Sequence, residues 1–243
     1  MEFNLQYSQY NEHSILIKWP EIINENNLKS ILKFKNGIEK KHIKEKVEII
    51  ITYSSILIIY KFTIDNINDE IFKLKSIFKR QNKTDVIDSS VWEIPVCYDT
   101  EFGVDLEGFS KQKKLSKDAI IELHSGRIYT VYFIGFLPGF LYLGGLDSRL
   151  FFDRKSTPNL NVKKGSVAIG GEQTGIYPQD SPGGWHIIGK TPISLFNSDQ
   201  NPPCAIKPGD KIKFKSISKL EYLDIEKRIR NSKFQIKSLI EDA

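Results

Sequence analysis

Gly165–Phe196 reads GSVAIGGEQTGIYPQDSPGGWHIIGKTPISLF, and just upstream Val131–Leu146 reads VYFIGFLPGFLYLGGL. Both stretches are dense in glycine or proline, yet full of aromatic and branched side chains. A flexible linker lacks that apolar content, and a plain core strand lacks the glycines. The combination predicts short strands joined by sharply shaped turns that bring polar side chains to one concave surface. From Arg127 onward turn signals recur about every 8–15 residues, the spacing of a β-barrel or sandwich.

Working outward, Pro208-Gly209-Asp210 predicts a turn before a last barrel strand at Lys211–Phe214, and Leu220–Ile240 reads as a helix. Upstream, Val91–Tyr98 (VWEIPVCY) reads as a strand. Two short helices follow, one around Asp105–Ser110 and one over Lys117–His124, the second capped by Ser116 and closed by Gly126. The first half of the chain differs in character. It is rich in Ile, Lys and Asn and poor in Gly. Ser14–Trp19 predicts a strand, Glu21–Phe34 a helix, and Val47–Phe62 two strands hinged at Ser54-Ser55. Asp69–Lys79 predicts an amphipathic helix with acids in its first turn. The order β-α-β-β-α implies a small α+β domain. The polar run Gln81–Ser90 marks the boundary, giving domains 1–85 and 86–243.

With 243 residues, 40% hydrophobic and 27% charged, the composition is that of a globular protein with a substantial core. The net charge of +5 is small, and lysines alternate with glutamates as in KNGIEKKHIKEKVE. That pattern describes a solvated face, so no nucleic-acid partner is expected. Cys97 and Cys204 form no C-x-x-C pair and read as reduced thiols. The opening residues show no basic start followed by an apolar run, and runs such as Ile56–Tyr60 are too short for a membrane. A cytoplasmic protein is expected. No metal-ligand set stands out, and His13 and His42 read as surface residues.

Three places carry candidate chemistry. In Gly170–Pro178, Gln173, Thr174 and Tyr177 offer an amide, a hydroxyl and a phenol, with Gly175 allowing a tight turn whose N–H groups face a ligand. The structural alternative is a hairpin that satisfies its own backbone. In Ser181–Trp185, Pro182 fixes the approach and Gly183-Gly184 leave room beside the Trp185 ring; a tight turn over a core tryptophan is an equal reading. His124 has an ordinary pKa of about 6.5, suited to acid–base work, or is a histidine stabilised at a helix C-terminus. One lettering is set aside. Gly184–Thr191, GWHIIGKT, matches the phosphate-loop pattern, but its middle residues favour a strand and Pro192 follows, so a strand with a glycine bulge is expected. G-S-V-A-I-G at Gly165 is not a nucleophile elbow.

Three segments in order, Gly135–Leu146, Gly165–Pro178 and Ser181–Gly189, resemble one family along essentially the whole chain. It is the family of the bacterial 5-oxoprolinase B subunit, also described as Kip-type histidine-kinase inhibitors and as allophanate hydrolase subunit 1. VCYDTEFGVDL (Val96–Leu106), the I-x-L-H of Ile121–His124 and KPGDKIKF agree. The resemblance implies an α+β N-terminal domain followed by a mainly-β cyclophilin-like barrel. It implies a subunit of an ATP-dependent 5-oxoprolinase, with ATP as cosubstrate and no located site, working with a carboxyltransferase-like subunit and a barrel-type subunit. The alternative role is a regulatory inhibitor that binds a sensor histidine kinase. The position of His124 in the pattern raises it, with Gln173, to a catalytic expectation, and Arg154, Thr174, Tyr177, Gly183, Gly184 and Trp185 to substrate binding. The chain departs from the family at Arg154-Lys155, Pro158-Asn159 and Val162-Lys163, where lost arginines weaken two-pronged anion binding and leave Arg154 as the anion contact.

Overall fold

The computed structural model describes residues 3–41, 46–80, 88–231 and 233–234, in two compact units, Met1–Asp88 and Ser89–Ala243. His42 and most of the expected boundary run, residues 81–87, lie outside the described residues.

The first unit contains β1 (Gln6–Asn11), β2 (Ser14–Lys18), α1 (Glu25–Lys41), β3 (Lys46–Ile51), β4 (Ser55–Tyr60) and α2 (Ile67–Lys79). The strands form one antiparallel sheet in the order β1-β2-β4-β3. β1 is an addition to the expected order. Its sequence, QYSQYN, lies almost wholly exposed on an edge, so no apolar alternation announced it. α1 starts later than the expected Glu21 because Asn24 accepts the N–H of Asn27 at 2.8 Å, a side-chain cap that fixes the first turn there. Ile15, Ile17, Ile56 and Ile58 alternate into a core shared with Ile31, Phe34, Leu74 and Ile77, all within 5% of full burial. Trp19 packs edge-on or tilted against Phe34 and Phe78, and its indole N–H reaches Ser30 Oγ at 3.0 Å.

The second unit begins with β5 (Val91–Cys97), α3 (Leu106–Lys113), α4 (Lys117–Ser125), β6 (Ile128–Ile134) and β7 (Leu141–Gly144). It continues with β8 (Asn159–Val162), β9 (Ser166–Gly170), β10 (Gln173–Ile176), β11 (Ser181–Gly183), β12 (His186–Lys190), β13 (Lys211–Ile217) and α5 (Lys219–Arg230). Seven strands close a barrel in the order β10-β7-β6-β13-β5-β12-β9, which decides between the barrel and sandwich readings. β5 and β13 run parallel in unbroken register from Val91↔Lys211 to Cys97↔Ile217; the other pairs are antiparallel. β8 and β11 form a separate two-stranded ribbon.

Ser116 caps α4 as expected, accepting the Ala119 N–H at 3.1 Å. GWHIIGKT contains β12, with a register break between Ile187 and Gly189 where it pairs with β9. A Cβ at Gly189 would lie 2.9 Å from Cys97 O, so the glycine is there for close backbone approach rather than for a phosphate. α5 covers the first half of the expected Leu220–Ile240 helix, and residues 235–240 lie outside the described residues. Asp210 anchors the barrel's closing strand: its buried carboxylate accepts the N–H groups of Ser90 and Lys207 and the Trp92 indole at 2.9–3.0 Å.

Candidate functional site

Side chains alternate between the two faces of a strand, and this rule sorts the candidate residues. On β9, Val167 and Ile169 join the barrel core, while Ala168 joins a smaller apolar cluster outside it. On β12, Ile188 points in and Ile187 out. On β10, Thr174 and Ile176 face the core, and Gly175 lies under the outer cluster. The barrel wall therefore has two furnished faces, and the expectation of a single concave surface is corrected.

The inner face holds a sealed polar chain. His124 is 0% exposed and stacks on Phe214 at 4.6 Å. Its Nδ1 lies 2.7 Å from the Tyr98 hydroxyl and its Nε2 lies 2.8 Å from Thr174 Oγ1. Thr174 itself donates to Ala168 O at 3.0 Å, and a carbonyl can only accept. The protons then have one consistent placement: Tyr98 donates to Nδ1, Nε2–H donates to Thr174, and Thr174 donates to the Ala168 carbonyl. The ring is neutral, and burial lowers its pKa to about 3. Tyr98, held well above the usual phenol range by burial, stays a donor. His124 and Thr174 thus reach no solvent-side ligand. Both side chains are buried, unlike the exposed groups expected at these positions: α4 presents the imidazole inward, where it braces β10.

The outer face gathers Trp185, Tyr177 and Arg154. Strand glycines make this possible. A Cβ at Gly170 would lie 2.4–2.5 Å from three atoms of the Trp185 ring, and one at Gly175 would lie 3.1 Å from it and 2.8 Å from Leu141 O. Gly175 is therefore mid-strand floor, paired with Ala168, and not the expected turn; the turn glycine is Gly171, at φ +66. Phe140 meets both Tyr177 and Trp185 edge-on, and Tyr142 meets Trp185 at 6.1 Å. Tyr177 is hydrogen-bonded to the Trp185 backbone, and burial raises its pKa. Its hydroxyl fills the space beside Gly183, where a Cβ would approach to 2.2 Å, so Gly183 leaves no room for a ligand. A Cβ at Gly184 would meet only ordinary contacts, the nearest being Lys155 O at 3.5 Å. The Arg154 guanidinium lies over the Trp185 ring at 5.6 Å and is exposed beyond it. Gln173, half-buried, opens β10 opposite Gly170.

The segment that carries Arg154 is laced in place. Phe152 and Gly171 exchange two backbone hydrogen bonds, and Lys155 N–H donates to Gly184 O at 2.7 Å. Lys155 Nζ contacts both oxygens of Asp105 at 2.7–2.8 Å, and Asp105 also accepts the Ile187 N–H at 2.7 Å. His186 Nε2 lies 3.0 Å from Asp153 O, which fixes the proton on Nε2 and leaves Nδ1 as the acceptor. The sequence reading missed Asp105, Lys155 and His186 as a group. Asp105 and Lys155 are 50 residues apart, and Lys155 read only as a weakened arginine. Among the described residues no His, Cys, Asp and Glu cluster could hold a metal. A groove of about 550 Å³ between α5, β5 and β13, lined by Glu93, Lys215, Leu220, Arg228 and Phe234, contains none of these residues.

The family model for the carboxyltransferase domain, subdomain C and D, matches residues 5–206, which include both faces of this wall. The chain belongs to that family. Carboxyltransferase subdomain C and D relatives with curated names include the 5-oxoprolinase B subunit of Bacillus subtilis, 47% identical over 136 residues, and that of Haemophilus influenzae, 51% identical over 122 residues. These matches cover 56% and 50% of this chain and 57% of each relative, so just over half the length of the curated relatives is matched. Among solved structures, TTHA0988 is similar with a TM-score of 0.74 and 28% identity, over 84% of this chain and 40% of that one.

Proposed function

We propose that this chain is a subunit of an ATP-dependent 5-oxoprolinase that opens 5-oxoproline to glutamate, and that the outer face of its barrel wall holds the substrate. The observation that carries the reading is the 47–51% identity to bacterial proteins named as the B subunit of 5-oxoprolinase. The names of these relatives favour this role over that of a sensor-kinase inhibitor. The barrel is taken as cyclophilin-like, and 1–85 and 86–243 as separate domains, on the family resemblance. The site lies in the cytoplasm; among the described residues no helix is long and apolar enough to cross a membrane.

5-Oxoproline is a compact ring with one carboxylate. Arg154, exposed and steadied over Trp185, supplies the charge for that carboxylate. Tyr142 and Gly184 border the ring, and the Gln173 amide is the polar group for the lactam. Trp185 and Tyr177 form the floor. His124 and Thr174 act from inside the wall as positioning residues. The lactam is a resonance-stabilised amide, and ATP supplies the drive to open it by activating the carbonyl. No residue of this chain is assigned to the ATP phosphates, because GWHIIGKT is bulged strand. Carboxyltransferase-like and barrel-type subunits complete the site, so the chain alone has little activity. The test is co-purification with those subunits and an assay of glutamate release. Activity that needs 5-oxoproline, ATP and the partners together supports the reading; full activity surviving Arg154→Ala combined with Gln173→Ala sinks it.

A further inference from the structure

Phe136 is 64% exposed, yet its backbone sits at φ +66, in the left-handed region that bulky side chains avoid. The turn that imposes this is well determined. Leu137 N–H donates to Gly135 O at 2.8 Å, closing a three-residue γ-turn about Phe136, the strained positive-φ form. Gly135 N–H donates to Phe140 O and Phe140 N–H to Leu137 O, tying the loop at both ends. Gly139, at φ +84, takes the second sharp bend against Phe196. A glycine at 136 would adopt this conformation without strain, and an asparagine tolerates a positive φ better than a bulky aromatic does. The chain instead carries a phenylalanine there and gains little burial for it. Its ring meets Phe140 edge-on at 5.6 Å, and Phe140 meets Trp185 at 5.5 Å. Phe136 therefore stands on the rim of the outer cluster, against the Phe140 ring that also meets Tyr142 at 4.9 Å. Backbone strain of this kind persists where a ligand clamp uses it.

The geometry points to Phe136 as a ligand-contacting residue that covers the apolar body of a small cyclic carboxylate whose charged end is held at Arg154. This rests on the ligand site proposed above and adds the residue that selects for a compact apolar ring. The test measures binding by ligand-detected NMR, to the purified full chain and to the complex co-purified with its partner subunits, with 5-oxoproline and, independently of the assigned substrate, with benzoate. Phe136→Gly and Phe136→Asn both accept the left-handed backbone. Each is expected to weaken binding of the bound probe about threefold to tenfold, the worth of one aromatic contact. Each should also leave Tm unchanged or raise it by about 2–4 °C through relief of strain. Binding of benzoate without 5-oxoproline overturns the substrate assignment and leaves the Phe136 inference to be decided by the two variants. Failure of both the chain and the complex to bind either probe overturns both. Variants that bind as tightly as the parent overturn the Phe136 inference, and if they also fail to co-purify with the partner subunits, Phe136 is a protein-docking anchor instead.

Discussion

The two faces of the β9–β10–β12 wall are built from neighbouring residues of the same strands and obey opposite rules. The inner face pairs its buried polar groups with one another: Tyr98, His124, Thr174 and the Ala168 carbonyl form one buried chain of donors and acceptors. The outer face gives up side-chain volume at Gly170, Gly175 and Ala168 so that an indole can lie flat, and leaves a guanidinium above it. A closed network confers rigidity and specifies the packing. A floor with an exposed charge is the arrangement proposed above to hold a carboxylate. The same alternation that makes the wall stable thus decides which polar residues can meet a ligand.

The comparison is most open to attack at His124. His124→Ala leaves a cavity and orphans the Tyr98 and Thr174 hydroxyls, and is expected to cost about 4 kcal/mol in denaturant unfolding. A loss below about 1 kcal/mol would mean the inner chain is not sealed. Next is Gly175→Val, which drives methyls into Leu141 O and the Phe140 and Trp185 rings, and should cost about 3 kcal/mol. An unchanged Tm would show that the indole does not rest on the strand. Arg154→Ala sharpens the contrast from the other side. Its stability should change by less than about 0.5 kcal/mol, while KM for 5-oxoproline in the reconstituted complex rises about tenfold. A stability loss without a KM change would make Arg154 a structural cover for Trp185.

The smallest effect is pH-dependent. The folded pKa of His124, about 3, lies below its ordinary 6.5, so between those values the unfolded chain binds the extra proton. Stability conferred by the neutral ring is fully present above pH 6.5 and is lost as pH falls toward 3. His186, also lowered by burial, acts in the same direction. The lowered carboxylates Glu107, Asp180 and Glu221 lose their contribution only below their ordinary 3.8–4.5. Tm should fall between pH 7 and 5, and His124→Gln should flatten that slope while His186 keeps part of it. An unaltered slope would show that the ring has the same pKa folded and unfolded, and so is not sealed from water.

Much of this molecule was legible from residues alone. The strands at Ser14, Val91 and Lys211 follow from alternation, α4 from its Ser116 cap, and the rejection of GWHIIGKT as a phosphate loop from its β-branched middle. These are local signals, set by sterics and hydrogen bonding within a few residues. β1 was silent because an exposed edge strand needs no apolar face, and the start of α1 was hidden in an asparagine cap. Tertiary structure alone decided that Thr174 and Gly175 serve opposite faces, that the volume missing at Gly183 is taken by the Tyr177 hydroxyl, and that Lys155 belongs to Asp105. Those facts depend on which strands the barrel closes between and on the register of their pairing. A shift of one residue would exchange the two faces, and the physical cause of that choice is the burial of the whole wall rather than any short stretch of it.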